Sequence, residues 1–111
     1  MPVRRNRLPN RRQVSTVSLM WPPNSGERYH VTVGEYENGA PGEVWVHGAK
    51  VGSEFDALLS DASILLSILI QIGYDSEKIA KALGRCESGE RASIIGAMAD
   101  LLADEAEAEN A

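Results

Sequence analysis

Cysteine is almost missing from this chain: Cys86 is the only one in 111 residues. A single thiol excludes an intrachain disulfide and any zinc site built from the chain's own cysteines. Aromatic residues make up only 5% of the sequence, so the core must be aliphatic. Acid is missing from the first dozen residues, where Arg4, Arg5, Arg7, Arg11 and Arg12 crowd together. Long apolar runs are missing too. The greasiest stretch, Ala62–Tyr74, is interrupted by Ser63, Ser67 and Gln71 and falls short of the ~20 apolar residues that span a bilayer. No apolar run follows the basic N-terminus closely, which argues against a secretory signal. These absences predict a cytoplasmic chain with no membrane partner.

What is present fits one small folded unit. Apolar residues reach 43% and charged residues 24%, and the formal net charge is -5. Because the arginines open the chain, everything after them is strongly acidic, ending in Asp104, Glu105, Glu107 and Glu109. The expected organisation is a flexible arginine-rich arm over 1–13, a single domain over 14–104, and a frayed acidic tail over 105–111. A basic arm of this kind suits phosphates or acidic partners.

Hydrophobic periodicity supplies the elements. Residues 14–21 alternate, with Val17, Leu19 and Trp21 on one face. Residues 28–36 place Tyr29, Val31 and Val33 on one face and His30 and Thr32 on the other. Residues 43–47 set Val44 and Val46 against Glu43, Trp45 and His47. Asn38-Gly39 predicts a two-residue type I′ hairpin turn. That turn pairs Val33 with Val44, Val31 with Val46, Thr32 with Trp45 and His30 with His47, so the valines share a face. Pro41 cannot donate to a ladder, so a bulge near Ala40–Gly42 is expected.

From Ser53 the period becomes helical. Ser53-Glu54-Phe55-Asp56 is a capping box, and the helix should run to about Ile72 with Gly73 as its stop. A short helix follows from Asp75 or Ser76 to Gly84, then a polar loop, then a helix carrying Ile94, Ile95, Met98, Leu101 and Leu102. Three strands followed by three helices predict an α+β fold: a three-stranded antiparallel meander with the helices packed on one face.

The long helix is apolar nearly all round, except for a narrow small or polar stripe of Ser60, Ser63, Ser67 and Gln71. Such a helix is buried nearly all round. So short a chain has little material to cover it, which marks the stripe as a candidate surface for self-association or a protein partner.

Chemistry-bearing patterns are sparse. His30 and His47 face each other beside Trp45 and form a candidate sheet-face patch. A catalytic zinc needs three protein ligands, and the spacing of Glu35 and Glu43 does not supply the third, so no metal and no cofactor are expected. No nucleophile–base–acid set stands out. Gly48, Gly52 and Ser53 precede a helix N-terminus, yet they read as an ordinary strand-to-helix turn. Residues 76–84, SEKIAKALG, open like a helix-turn-helix, giving an alternative reading as a small DNA-binding regulator over 76–104. The following loop exceeds the 3–4 residues of such a turn, and the next helix offers apolar rather than donor-bearing side chains.

The order of pieces resembles the TSCPD domain of ribonucleotide reductases, especially the module near the C-terminus of cobalamin-dependent enzymes. The likeness rests on GEYENG (34–39), GEVWV (42–46), Gly52-Ser53 and SILIQIG (67–73), and covers about residues 8–103. The family's naming stretch would fall near Ala92–Gly96, which reads ASIIG without its cysteine, with Ser93 at the serine position. Cys86 sits where a cysteine often precedes that stretch. No catalytic residue carries over. The resemblance implies a non-catalytic accessory or binding domain, acting through protein contacts or through nucleic-acid contacts of Arg4, Arg5, Arg7, Arg11 and Arg12.

Overall fold

The computed structural model describes residues 4–22, 25–48 and 52–109, with side chains through 105. The first three residues of the arm, part of the Pro22–Gly26 break, and the side chains at the end of the acidic tail lie outside the described residues. The elements follow the order β1 (Gln13–Met20), β2 (Arg28–Glu35), β3 (Pro41–His47), α1 (Glu54–Gln71), α2 (Ser76–Ala82) and α3 (Ile94–Glu109). The strands form one antiparallel sheet in the order β1-β2-β3, so the expected α+β meander is what the chain builds.

The register is the predicted one over most of β2 and β3: Val31 lies opposite Val46, Val33 opposite Val44, and His30 opposite His47. The turn that sets it is different. The Tyr36 carbonyl accepts from Gly39 N–H at 2.8 Å, and Tyr36 N–H donates to the Ala40 carbonyl at 2.9 Å. These bonds close a three-residue loop, with Gly39 at φ 86° and Ala40 N–H bound to Asn38 Oδ1 at 2.9 Å. The longer loop offsets the pairing by one residue, so that Glu35 lies opposite Pro41. An irregularity at Gly34/Glu35 then restores the valine register, with Gly34 opposite Glu43. The bulge expected from Pro41 and the extra loop residue cancel each other.

The core is aliphatic, as the shortage of aromatics requires. Val31, Val33 and Val44 of the sheet meet Leu59, Leu66 and Ile70 of α1 and Ile94, Met98, Ala99 and Leu102 of α3. Ile79 and Ala80 of α2 close it below. Helix α1 lies along β3, and α2 packs on α3. The caps are those the sequence announces. Ser53 Oγ accepts from Asp56 N–H at 3.1 Å, Asp75 Oδ1 accepts from Glu77 N–H at 2.9 Å, and Gly73 follows α1 at φ 88°. Ser93 Oγ takes the Gly96 N–H at 3.2 Å at the start of α3. Helix α3 continues to Glu109, past the point where a frayed tail is expected, because alanine and glutamate are strong helix formers.

Candidate functional site

The polar stripe of α1 determines where the site lies. Ser67 Oγ accepts from Val44 N–H at 2.9 Å and donates to the Val44 carbonyl at 3.1 Å. Gln71 Nε2 donates to the Gly42 carbonyl at 2.8 Å. Strand β3 is a sheet edge, so these groups would otherwise stand unpaired. The match is geometric: four helical residues rise ~6 Å and two strand residues ~6.6 Å, so a polar side chain every fourth residue of α1 meets alternate residues of β3. Ser63, Ser67 and Gln71 are all buried within the chain, and Ser60 alone of the stripe is exposed. Ser67 and Gln71 of the stripe thus seal this chain's own sheet edge.

The seal stops one step short. Val44 turns both of its backbone groups toward α1, and the alternation of an antiparallel ladder turns those of Val46 the same way. The next stripe residue is Ser63, 2% exposed, and its Oγ has no hydrogen-bond partner among the described residues. Buried polar atoms are nearly always paired. Here a hollow of about 470 Å³ opens along β3, lined by Trp45, Val46, His47, Asp56, Ser60, Ser63 and Ile64 at this end and by Arg5 and Gln71 at the other. The Asp56 carboxylate is tied back to the Gly52 N–H at 3.3 Å.

Of the predicted sheet-face patch, His30 and His47 are exposed cross-strand neighbours and Trp45 is half-buried beside Thr32. Trp45 and His47 are also among the residues that line the hollow. No three of histidine, cysteine, aspartate and glutamate gather into a metal-binding group among the described residues. Cys86 is exposed in the loop between α2 and α3.

The arginine arm crosses the far end of the same groove and is anchored there. Asn6 N–H donates to the Gln71 carbonyl at 2.9 Å, Arg5 Nε donates to Gln71 Oε1, and the Tyr36 hydroxyl donates to the Asn6 carbonyl. Leu8 and Tyr36 press against Gly42, where a Cβ would meet them at 2.8 and 2.7 Å. Arg12 Nε reaches Glu43 Oε1 at 2.6 Å. Burial beside Glu43 raises the Tyr36 hydroxyl above its ordinary pKa, with Arg5 opposing. Two of the five arginines are thereby spent on the fold. Arg4, Arg7 and Arg11 are exposed.

Sequence reasoning missed Arg91, which it placed in a polar loop. Its side chain is 5% exposed. It donates to both Asp100 oxygens, one at 2.7 Å, and to the Leu83 carbonyl at 3.1 Å, locking the loop between α2 and α3. Gly96 makes room for it: a Cβ there would sit 3.0 Å from Arg91 Cδ. That glycine, mid-pattern in a helix, was the available signal. The connection over 83–93 is far longer than a helix-turn-helix turn, and Ile94, Met98 and Leu102 of the second helix are buried.

The chain is similar in sequence to known proteins. Residues 3–106 match the family model described as the TSCPD domain. A vitamin B12-dependent ribonucleotide reductase of Agrobacterium fabrum is 31% identical over 78 residues, 70% of this chain and 6% of that protein. One from Rhodopirellula baltica is 36% identical over 76 residues, 68% of this chain and 7% of that protein. The matched segment is thus less than a tenth of either reductase. No solved structure matches the chain. With the family model covering nearly its whole length, and with both reductases similar over most of it, the chain belongs to the TSCPD domain family.

Proposed function

We propose that this chain is a non-catalytic binding domain, and that it holds an extended segment of a protein partner in the groove between α1 and β3. The observation that carries the reading is the buried, unpaired Ser63 hydroxyl beside the outward-turned backbone of Val46. A strand edge offers alternating donors and acceptors to another backbone, the chemistry by which peptides add to sheets. Trp45, His47 and Ile64 supply side-chain contacts around that edge. The similarity to reductases makes a ribonucleotide reductase or another protein of nucleotide metabolism the first partner class to test.

The test is isothermal titration of the protein with a purified B12-dependent reductase chain from the same cells. Binding is expected, and Trp45→Ala should weaken it at least tenfold with the fold intact by circular dichroism. Absence of binding at concentrations up to about 100 μM, well above the micromolar range of transient complexes, overturns the partner class. Binding unchanged by Trp45→Ala overturns the groove. Nucleic-acid binding that falls steeply with salt would instead move the function to the exposed arginines of the arm.

A further inference from the structure

The outward face of α1 carries a regular pattern. Phe55, Leu58, Ala62, Leu65, Leu69 and Ile72 recur at intervals of three, four, three, four and three. That is the a/d spacing of a coiled-coil seam, sustained over the whole helix. It lies away from the buried Leu59, Ser63, Leu66, Ser67 and Ile70. It is also uncovered where the side chains are largest: Phe55 is 46% exposed, Leu58 60% and Leu65 64%. Ala62, Leu69 and Ile72 are half-buried. Leu69 also packs against the chain's own core, but a monomer gains nothing from turning Phe55, Leu58 and Leu65 to solvent at a/d spacing.

We infer that α1 pairs with α1 of a second copy, antiparallel, along this seam. Antiparallel pairing sets each a position against a d position of the partner helix. Phe55 then meets Ile72 of the second copy, Leu58 meets Leu69, and Ala62 meets Leu65, all in one register. The two-fold axis passes between positions 63 and 64, so the contact is self-complementary and closed, as a C2 interface requires. Charge fixes the direction. Glu54, Asp56 and Asp61 all lie in the first half of α1, and residues 62–72 carry no charge. A parallel pair would gather six acids at one end. The antiparallel pair lays each acidic half beside an uncharged half and opposes the helix dipoles. One helix face from each copy is small against the ~800 Å² per partner of a standard interface, so the dimer is reversible and concentration-dependent. The groove under Proposed function lies on another side of α1, and this inference does not rest on it.

Two measurements test it. Sedimentation equilibrium should show the mass rise from 12.0 kDa toward twice that value as concentration increases. Leu65→Glu, at an exposed position, should hold the chain monomeric with an unchanged circular dichroism spectrum. A mass of one chain at every concentration up to about 1 mM, weaker than any specific dimer of use, overturns the inference, as does a dimer that survives Leu65→Glu. Direction is read in a Cys86→Ala background by mixing Leu58→Cys and Leu69→Cys chains under mild oxidation. Cross-links between 58 and 69 are expected. Leu58→Cys alone should give none, since the two copies of position 58 lie ~16 Å apart along the axis. Rapid cross-linking of Leu58→Cys with itself would show a parallel pair and overturn the register.

Discussion

Ser67 binds both backbone groups of Val44 from a site that is 6% exposed. Removing its hydroxyl strands a buried donor and a buried acceptor, which costs about 1–3 kcal/mol. Ser67→Ala should therefore lower the urea midpoint clearly, whereas Ser60→Ala on the same stripe, exposed and outside the seal, should stay within ~0.5 kcal/mol. Equal effects would mean that α1 does not seal the sheet edge. Asp100 makes a second residue-scale prediction. Its hydrogen bonds from Arg91 hold its pKa below the ordinary 3.8, with Arg85 adding to the effect. A carboxylate depressed in the folded state contributes stability above its unfolded pKa and loses it as pH falls through the lower folded value. Melting temperature should accordingly drop as pH falls below about 4, and Asp100→Asn should remove this part of the drop. At neutral pH the same substitution should destabilise by about 1–2 kcal/mol. That lies below the ~3–5 kcal/mol of breaking a fully buried ion pair, because Asp100 is 40% exposed and screened by water.

Among the elements, the hairpin shows why a correct register can come from a wrong turn. The valine alternation on β2 and β3 demands that Val33 face Val44 whatever the loop does. Asn38-Gly39 marked the turn's place, but local sequence does not say whether one or two of its residues take positive φ. Here Gly39 takes it, at 86°, and the Asn38 side chain holds Ala40 N–H. Gly39→Ala should therefore cost about 1 kcal/mol or more, since a Cβ disfavours that conformation. A thermal melt checks it, and no effect would mean that the turn can relax to another form. The helix stripe was equally legible as a pattern and equally open in meaning. Small and polar residues at spacings of three and four announce a close approach. Only the placement of α1 along β3 shows that the approaching backbone is the chain's own edge strand.

For the whole molecule, the order of strands and helices, the caps and the aliphatic core could all be read from periodicity. What could not be read were contacts between distant segments, above all the docking of the arm. Arginine density suggested a free cationic arm, and no local signal reports that Arg5 finds Gln71 and Arg12 finds Glu43. That docking leads to a prediction about both stability and charge. A chain beginning at Gln13 loses the cover over Gly42 and the partner of the Gln71 side chain, so it should melt several degrees lower, at ~4–8 °C per kcal/mol for a domain of this size. The same docking limits any electrostatic role. If nucleic acid binds through the arm while the fold stays intact, Arg4, Arg7 and Arg11 are the arginines free to meet phosphates. Each phosphate neutralised contributes about -0.9 to the slope of log K against log salt. Three contacts give a slope near -3 on duplex DNA, within reach of a fluorescence anisotropy series. A slope of -4 or steeper would require Arg5 or Arg12 to leave its partner, and binding would then have to loosen the arm from α1 and β3.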